Sequence, residues 1–144
     1  MVSKRGRFHN GNNFDYLKNE SKFSAFANVA ISAEKIILAD PDASILNSRR
    51  AMEFAVKWLY SVENSLQIPY QDNLHTLMNT EEFRQLVGPD LWKRMDYIRR
   101  CGNSVAHSNK KPGRDAALLC LENLSNFFGL YCILLWGTVS GAFV

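Results

Sequence analysis

Four side chains in the second half of the chain, Arg99, Arg100, Asn103 and His107, have the types and the spacing to work on a phosphodiester. Each residue of a helix advances by about 100°, so on a helix these four project within an arc of roughly 100° and share one face. A fixed cation, an amide and a titratable imidazole along one stripe can hold a phosphate and move a proton near neutral pH. A histidine beside a turn also serves as a surface or capping residue, so spacing alone leaves a plainer role open.

The surrounding charge fits a phosphate-facing surface. The formal net charge of the 144 residues is only +3, but residues 92–114 hold Lys93, Arg94, Arg99, Arg100, Lys110, Lys111 and Arg114 against a single acid, Asp96. Such concentration is what a nucleic-acid contact needs, and a solvated helix face would look the same. No glycine-rich phosphate loop is present, and no cluster of acidic, His or Cys ligands has metal-binding spacing. No metal and no cofactor are therefore expected. The three cysteines, Cys101, Cys120 and Cys132, form no disulfide framework. Lys4, Arg5 and Arg7 are followed by Asn and Gly and not by an apolar run, so no secretory signal is read and a cytoplasmic location is expected.

Positioning the stripe requires helices, and the apolar periodicity supplies them. Residues 1–13 are polar and read as a mobile tail. Phe23, Phe26, Ala27, Ala30, Ile31, Ile37 and Leu38 mark a first amphipathic helix that Asp40-Pro41 ends. Asp42 can cap a second helix, with Ala51, Phe54, Ala55, Trp58, Leu59 and Val62 as its buried stripe and Arg49, Glu53 and Lys57 as a charge ladder on the opposite side. Two short helical spacers, residues 72–78 and 80–87, precede a long helix begun by Pro89 that keeps Leu91, Met95, Ile98, Val105 and Ala106 inward. After a turn at residues 109–113, a last helix carries Leu118, Leu121, Leu124, Phe128, Tyr131 and Leu135. The expected architecture is an all-α bundle of four to five helices forming one domain over residues 14–136. An apolar tail at 137–144 completes it.

Residues 123–144 carry no charge, and length alone would permit a membrane span. Gly129, Gly137 and Gly141 interrupt the run, and Asn126, Thr138 and Ser140 are polar. A core helix followed by an apolar segment that needs a partner surface is the preferred reading, with no membrane.

The string Ile98-Arg99-Arg100-Cys101-Gly102-Asn103-Ser104-Val105-Ala106-His107 resembles the signature of the HEPN superfamily. More narrowly, Asn47-Ser48-Arg49-Arg50-Ala51-Met52-Glu53-Phe54-Ala55-Val56-Lys57-Trp58 and Met78-Asn79-Thr80-Glu81-Glu82-Phe83 resemble an uncharacterised HEPN-like family often fused ahead of the helicase in type I restriction enzyme R subunits. The resemblance spans about residues 14 to 128. It implies an all-α fold and two-fold dimers. In active members it implies a metal-independent ribonuclease with paired Arg and His at the dimer cleft. On this chain His107 matches the catalytic histidine and Asn103 the polar residue before it. The arginine departs from the common pattern, in which it often stands directly before the polar residue, here Gly102; six residues separate Arg100 from His107, and seven separate Arg99.

Carried over, the resemblance implies transesterification: His107 takes the proton of a ribose 2′-hydroxyl, which attacks the adjacent phosphorus, while Arg100 or Arg99 stabilises the developing charge and Asn103 orients substrate. Lys93, Arg94, Arg49, Arg50, Lys110 and Lys111 would bind the nucleic acid, RNA or DNA. Glu53 would pair with an arginine and fix its rotamer, or belong to a plain surface ladder. Three classes stay open. One is a nucleic-acid-binding or subunit-docking module of a type I restriction-modification defence system, as a homodimer or docked on a larger subunit. Another is a metal-independent ribonuclease of a defence or toxin-antitoxin system, and the last is a structural dimerisation domain.

Overall fold

Phe26, Ala27, Ala30, Ile31 and Ala33 give α1 (Ser24–Ile36) one inward face. The computed structural model describes the backbone of residues 14, 24–107 and 111–140, and side chains over residues 14, 26–107 and 111–129. The tail expected at residues 1–13 and the side chains from 130 onward lie outside these. α1 stops where the carbonyl of Ile36 accepts from the amides of both Ala39 and Asp40, at 3.0 and 2.8 Å, leaving Leu38 exposed instead of inward as expected.

α2 (Pro41–Val62) follows after a turn of four residues, 37–40. Its N-cap is Asp40, whose carboxylate accepts from the Ala43 amide at 3.0 Å, and not Asp42 as the sequence suggested. The reason is Pro41: it has no amide proton to satisfy and its fixed φ suits the first helical position, so the cap falls one residue before it. Asp42 lies in the first turn, where the helix dipole still favours an acid.

α2 is packed on two sides, by α1 on one and by α5 (Pro89–His107) and α6 (Arg114–Ser140) on the other. Its buried residues, Ser44, Ile45, Ser48, Ala51, Met52, Ala55, Val56, Leu59 and Tyr60, cover about half the circumference of the helix. The stripe is wider than the expected one and turned away from it. Phe54 and Val62, expected inside, are 38% and 40% exposed. The small residues admit α1 closely, and Ser44 Oγ donates to the Ala33 carbonyl at 2.7 Å.

Two short helices, α3 (Leu74–Met78) and α4 (Glu81–Val87), bring the total among the described residues to six, where four or five were expected. Each stands as a separate helix because it has its own side-chain cap: Asn73 accepts from the Thr76 amide at 2.9 Å and Thr80 from the Phe83 amide at 3.2 Å. Gly88 closes α4 at φ +83°, a conformation that favours glycine, and Pro89 then starts α5. Tyr60 ties this pair to α2. Its hydroxyl lies 2.6 Å from the Leu77 carbonyl and 2.8 Å from Thr80 Oγ1, while its ring stacks on Phe83.

No strand occurs among the described residues, so the all-α bundle expected from the sequence is what the chain forms. The core joins Phe26 to Phe14, Phe127 and Phe128, with Phe14 meeting Phe128 edge to face at 5.9 Å. The start of the uncharged segment is thus covered by the chain's own bundle. Leu118 is 38% exposed, because Ala117, Cys120, Leu121 and Leu124 form the inner face of α6 instead. The α6 backbone stays helical to Ser140, past the expected boundary at 136. No helix among the described residues is long and apolar enough to cross a membrane.

The Tyr60 hydroxyl is the only part of that side chain a phenylalanine lacks. Tyr60→Phe should keep the ring stack, strand the Leu77 carbonyl, and lower stability by roughly 1–3 kcal/mol. Urea unfolding monitored by circular dichroism measures it; an unchanged midpoint would show that the α3–α4 pair does not depend on this bond.

Candidate functional site

α5 carries the stripe. Leu91, Met95, Ile98, Cys101, Gly102 and Val105 face the core, while Arg100 and His107 are exposed and Arg99 and Asn103 are half-buried. Ala106, expected inward, is exposed, and Cys101 and Gly102 take the inward positions in that turn.

Asp96 lies beneath both arginines. Its Oδ1 accepts from Arg99 Nε and Nη2 at 2.9 and 2.8 Å, and its Oδ2 from Arg100 Nε at 3.0 Å. The side chains of Arg99 and Asp96 are only 15% and 14% exposed, whereas that of Arg100 is 66% exposed. Arg99 is therefore a structural cation closed against its acid, and Arg100 is the one that reaches solvent. Two guanidinium groups and one carboxylate leave this trio a net charge of +1.

Other cations of the basic string are also engaged. Arg94 Nη1 donates to Asn123 Oδ1 at 3.1 Å, tying α5 to α6 through a buried amide. Lys111 Nζ donates to the Val105 carbonyl at 2.6 Å, closing the last turn of α5. Lys93 is exposed, and Lys110 lies outside the described residues. On α2, the Arg50 guanidinium stands 5.8 Å from the Phe54 ring centroid. Glu53 pairs with Lys57 at 3.3 Å and, among the described residues, with no arginine; an acid four residues before its cation is the favoured order on a helix, and Arg49 stands four residues before the acid.

Arg49 differs most from its expected place. Its spacing puts it on the charge ladder opposite the expected buried stripe, either as a solvated rung or as support for the site, but the two-sided packing of α2 brings it within the buried half. Its stem crosses α5 at Gly102. A Cβ on Gly102 would collide with Arg49 Cδ and come within 3.3 Å of Cβ and 3.4 Å of Cγ. The Nε of Arg49 is buried without a hydrogen-bond partner, and among the described residues no carboxylate pairs with its guanidinium. A glycine in mid-helix costs about 1 kcal/mol relative to alanine, and that cost was the sequence signal of a close approach here.

On the other flank of α5, Tyr97, Arg100, Cys101, Ser104, Lys111, Pro112 and Ala116 line an open cleft of about 420 Å³. The cleft gathers Arg100 and Lys111 but not Arg99, Asn103 or His107, so the stripe is divided between two flanks. Behind it, Cys120 on α6 is enclosed in the core. The hydrogen bond from Cys120 pulls Cys101 down to about 6; burial opposes it, and a Tyr97 hydrogen bond and the Arg100 charge reinforce it. Donating that bond, and burial, hold Cys120 well above the usual thiol range. Burial and its bond to Cys101 push Tyr97 up to about 12.

The geometry defines an all-α bundle whose α2–α5 junction holds an arginine with no carboxylate partner among the described residues, beside a partly neutralised basic stripe. Residues 32–135 match the family described as Domain of unknown function (DUF4145), and the chain belongs to it. No curated protein and no solved structure matches the chain.

Gly102→Ala should destabilise the fold by about 1–2 kcal/mol, despite the better helix propensity of alanine, because Arg49 must leave its groove. In an Arg49→Ala background the same change should be neutral or stabilising by up to about 1 kcal/mol. A double-mutant cycle from denaturant unfolding measures the coupling; additive effects would mean that the two residues do not interlock.

Proposed function

We propose that the chain is a HEPN-like module that binds the phosphate backbone of RNA or DNA over the α2–α5 surface. The observation that carries this reading is Arg49, a half-buried cation whose Nε has no hydrogen-bond partner and which pairs with no carboxylate among the described residues. A guanidinium whose Nε is buried without a hydrogen-bond partner is unfavourable, and an incoming phosphate offsets that cost with a charge-assisted contact. Exposed Arg100, Lys93 and Arg50 extend the positive surface around it. A two-fold dimer, or docking on a larger subunit of a type I restriction system in the cytoplasm, belongs to the same reading and rests on the HEPN resemblance alone.

Metal-independent RNA cleavage is the second reading, favoured by the exposure of His107 one turn beyond Asn103 on the Arg100 side of α5. In that chemistry His107 takes the proton of the 2′-hydroxyl and Arg100, the outward arginine, meets the developing charge. Arg99 is poorly placed for it while Asp96 holds it.

Fluorescence anisotropy with labelled duplex DNA and single-stranded RNA tests the first reading. Neutralising roughly three to five phosphates gives a log–log salt slope of about −3 to −4.5 on duplex DNA. Arg49→Ala should flatten it by about one, and Asp96→Asn, which releases Arg99 and Arg100, should tighten binding and steepen the slope by about one. His107→Ala should leave binding unchanged but abolish any RNA cleavage seen in excess chelator. Absence of binding at low salt would overturn the nucleic-acid reading in favour of subunit docking, and cleavage that survives loss of His107 would exclude the second.

A further inference from the structure

A second cleft, of about 440 Å³, opens where α4 meets the start of α5, and it shares no residue with the phosphate-binding reading. Asn79, Glu81, Arg84, Gly88, Pro89 and Trp92 line it. Among the described residues its cation, Arg84, is held by neutral groups alone. The Cζ of Arg84 stands 3.9 Å from the Trp92 ring centroid, and that indole is fixed, since Trp92 Nε1 donates to the Met78 carbonyl at 2.7 Å and the ring packs on the core. Arg84 Nη1 donates to Asn79 Oδ1 at 3.1 Å, and Asn79 Nδ2 in turn donates to the His75 carbonyl at 2.8 Å. One face and one corner of the guanidinium are thus set in place, while Nε and Nη2 keep donors for a ligand.

The acid of the same cleft is not that cation's partner. Glu81 precedes Arg84 by three residues on α4, a spacing at which an acid and an arginine are neighbours, with Cβ atoms about 5–6 Å apart. Yet Glu81 Oε2 accepts from Gln85 Nε2 at 3.3 Å, and no carboxylate pairs with Arg84 among the described residues. The cleft therefore presents a cation and an acid that leave each other's charge unanswered, near enough for one small molecule to reach both.

We propose that this cleft binds a free apolar α-amino acid, with its carboxylate on the Nε–Nη2 edge of Arg84 and its ammonium on Glu81. A carboxylate takes two parallel N–H donors from one guanidinium edge, and the contacts to Trp92 and Asn79 orient that edge before the ligand arrives, so little freedom is lost on binding. An α-amino acid carries its two charges on groups joined through one carbon, which suits partners three residues apart on a helix. Its side chain meets Trp92, Pro89 and Gly88, none of them charged, and the space beyond the Gly88 Cα is open. A phosphate dianion would bring its second charge against Glu81, so the cleft discriminates against the ligand of the α2–α5 surface.

The test titrates the full isotope-labelled chain with L-leucine, L-methionine and L-phenylalanine and follows the Trp92 indole N–H by nuclear magnetic resonance, its signal assigned by its loss in Trp92→Phe. At least one of the three should move that resonance to saturation. The amide of the same amino acid, which lacks the carboxylate, and its deaminated acid, which lacks the ammonium, should each bind about tenfold more weakly. Arg84→Gln should abolish the response. Glu81→Gln, a change at an exposed position, should retain binding of the carboxylate but erase the preference for the amino acid over its deaminated acid. If Arg84→Gln unfolds, the ligand series on the unsubstituted chain decides. A Trp92 resonance that none of the three moves, an amide that binds as tightly as the amino acid, or a preference that persists in Glu81→Gln would each overturn the proposal.

Discussion

The enclosure of α2 on two sides is the constraint on which the rest depends. A helix covered over half its circumference cannot keep every charged residue of an i, i+4 ladder in water. Ser44, Ser48, Ala51 and Ala55 are small enough to let α1 approach, and Ile45, Met52, Val56 and Leu59 fill the space on the inner face. Arg49 falls at the margin of this buried half, and its long aliphatic stem lets it occupy an interhelical groove while retaining a charged head. The groove exists because α5 offers Gly102 there. A position that reads as a break in the basic string is where the two helices meet.

From that junction the electrostatics divide. On α5 the local acid Asp96 answers both Arg99 and Arg100, while on α2 the local acid Glu53 answers Lys57 and leaves Arg49 without a carboxylate among the described residues. Seven basic residues crowded into residues 92–114 therefore do not make a surface of seven free charges. Arg94 and Lys111 also spend donors on internal amide and carbonyl oxygens, where they join α5 to α6 and close its end. Counting cations along a sequence overstates the positive face whenever helical spacing supplies neighbours of opposite sign or unsatisfied carbonyls.

The fold was largely legible because long amphipathic helices announce themselves by period. Leu91, Met95 and Ile98 lie inward as their spacing required, as do Leu121, Leu124 and Phe128. Period gave less on α2, where burial on two sides widens the stripe, so that Phe54 and Val62 were placed inside while Met52, Val56 and Tyr60 took those roles. The side-chain types of the α5 stripe were legible as well. Their engagement was not, since no rule of spacing tells which of two adjacent arginines an acid will close upon. The Arg49–Gly102 crossing joins helices far apart in sequence, and only tertiary packing creates it.

The shared carboxylate beneath the two arginines has a further meaning for how this face meets any anion. An acid with one cation is stranded when that cation turns to a new partner, and the loss opposes the exchange. Asp96 keeps Arg99 on one oxygen while Arg100 occupies the other, so Arg100 can swing outward and the carboxylate remains answered. The trio thus works as a two-place exchange, with one place permanently filled and the other open to trade. An anion arriving at this helix meets a cation already oriented by its current partner and free to change it.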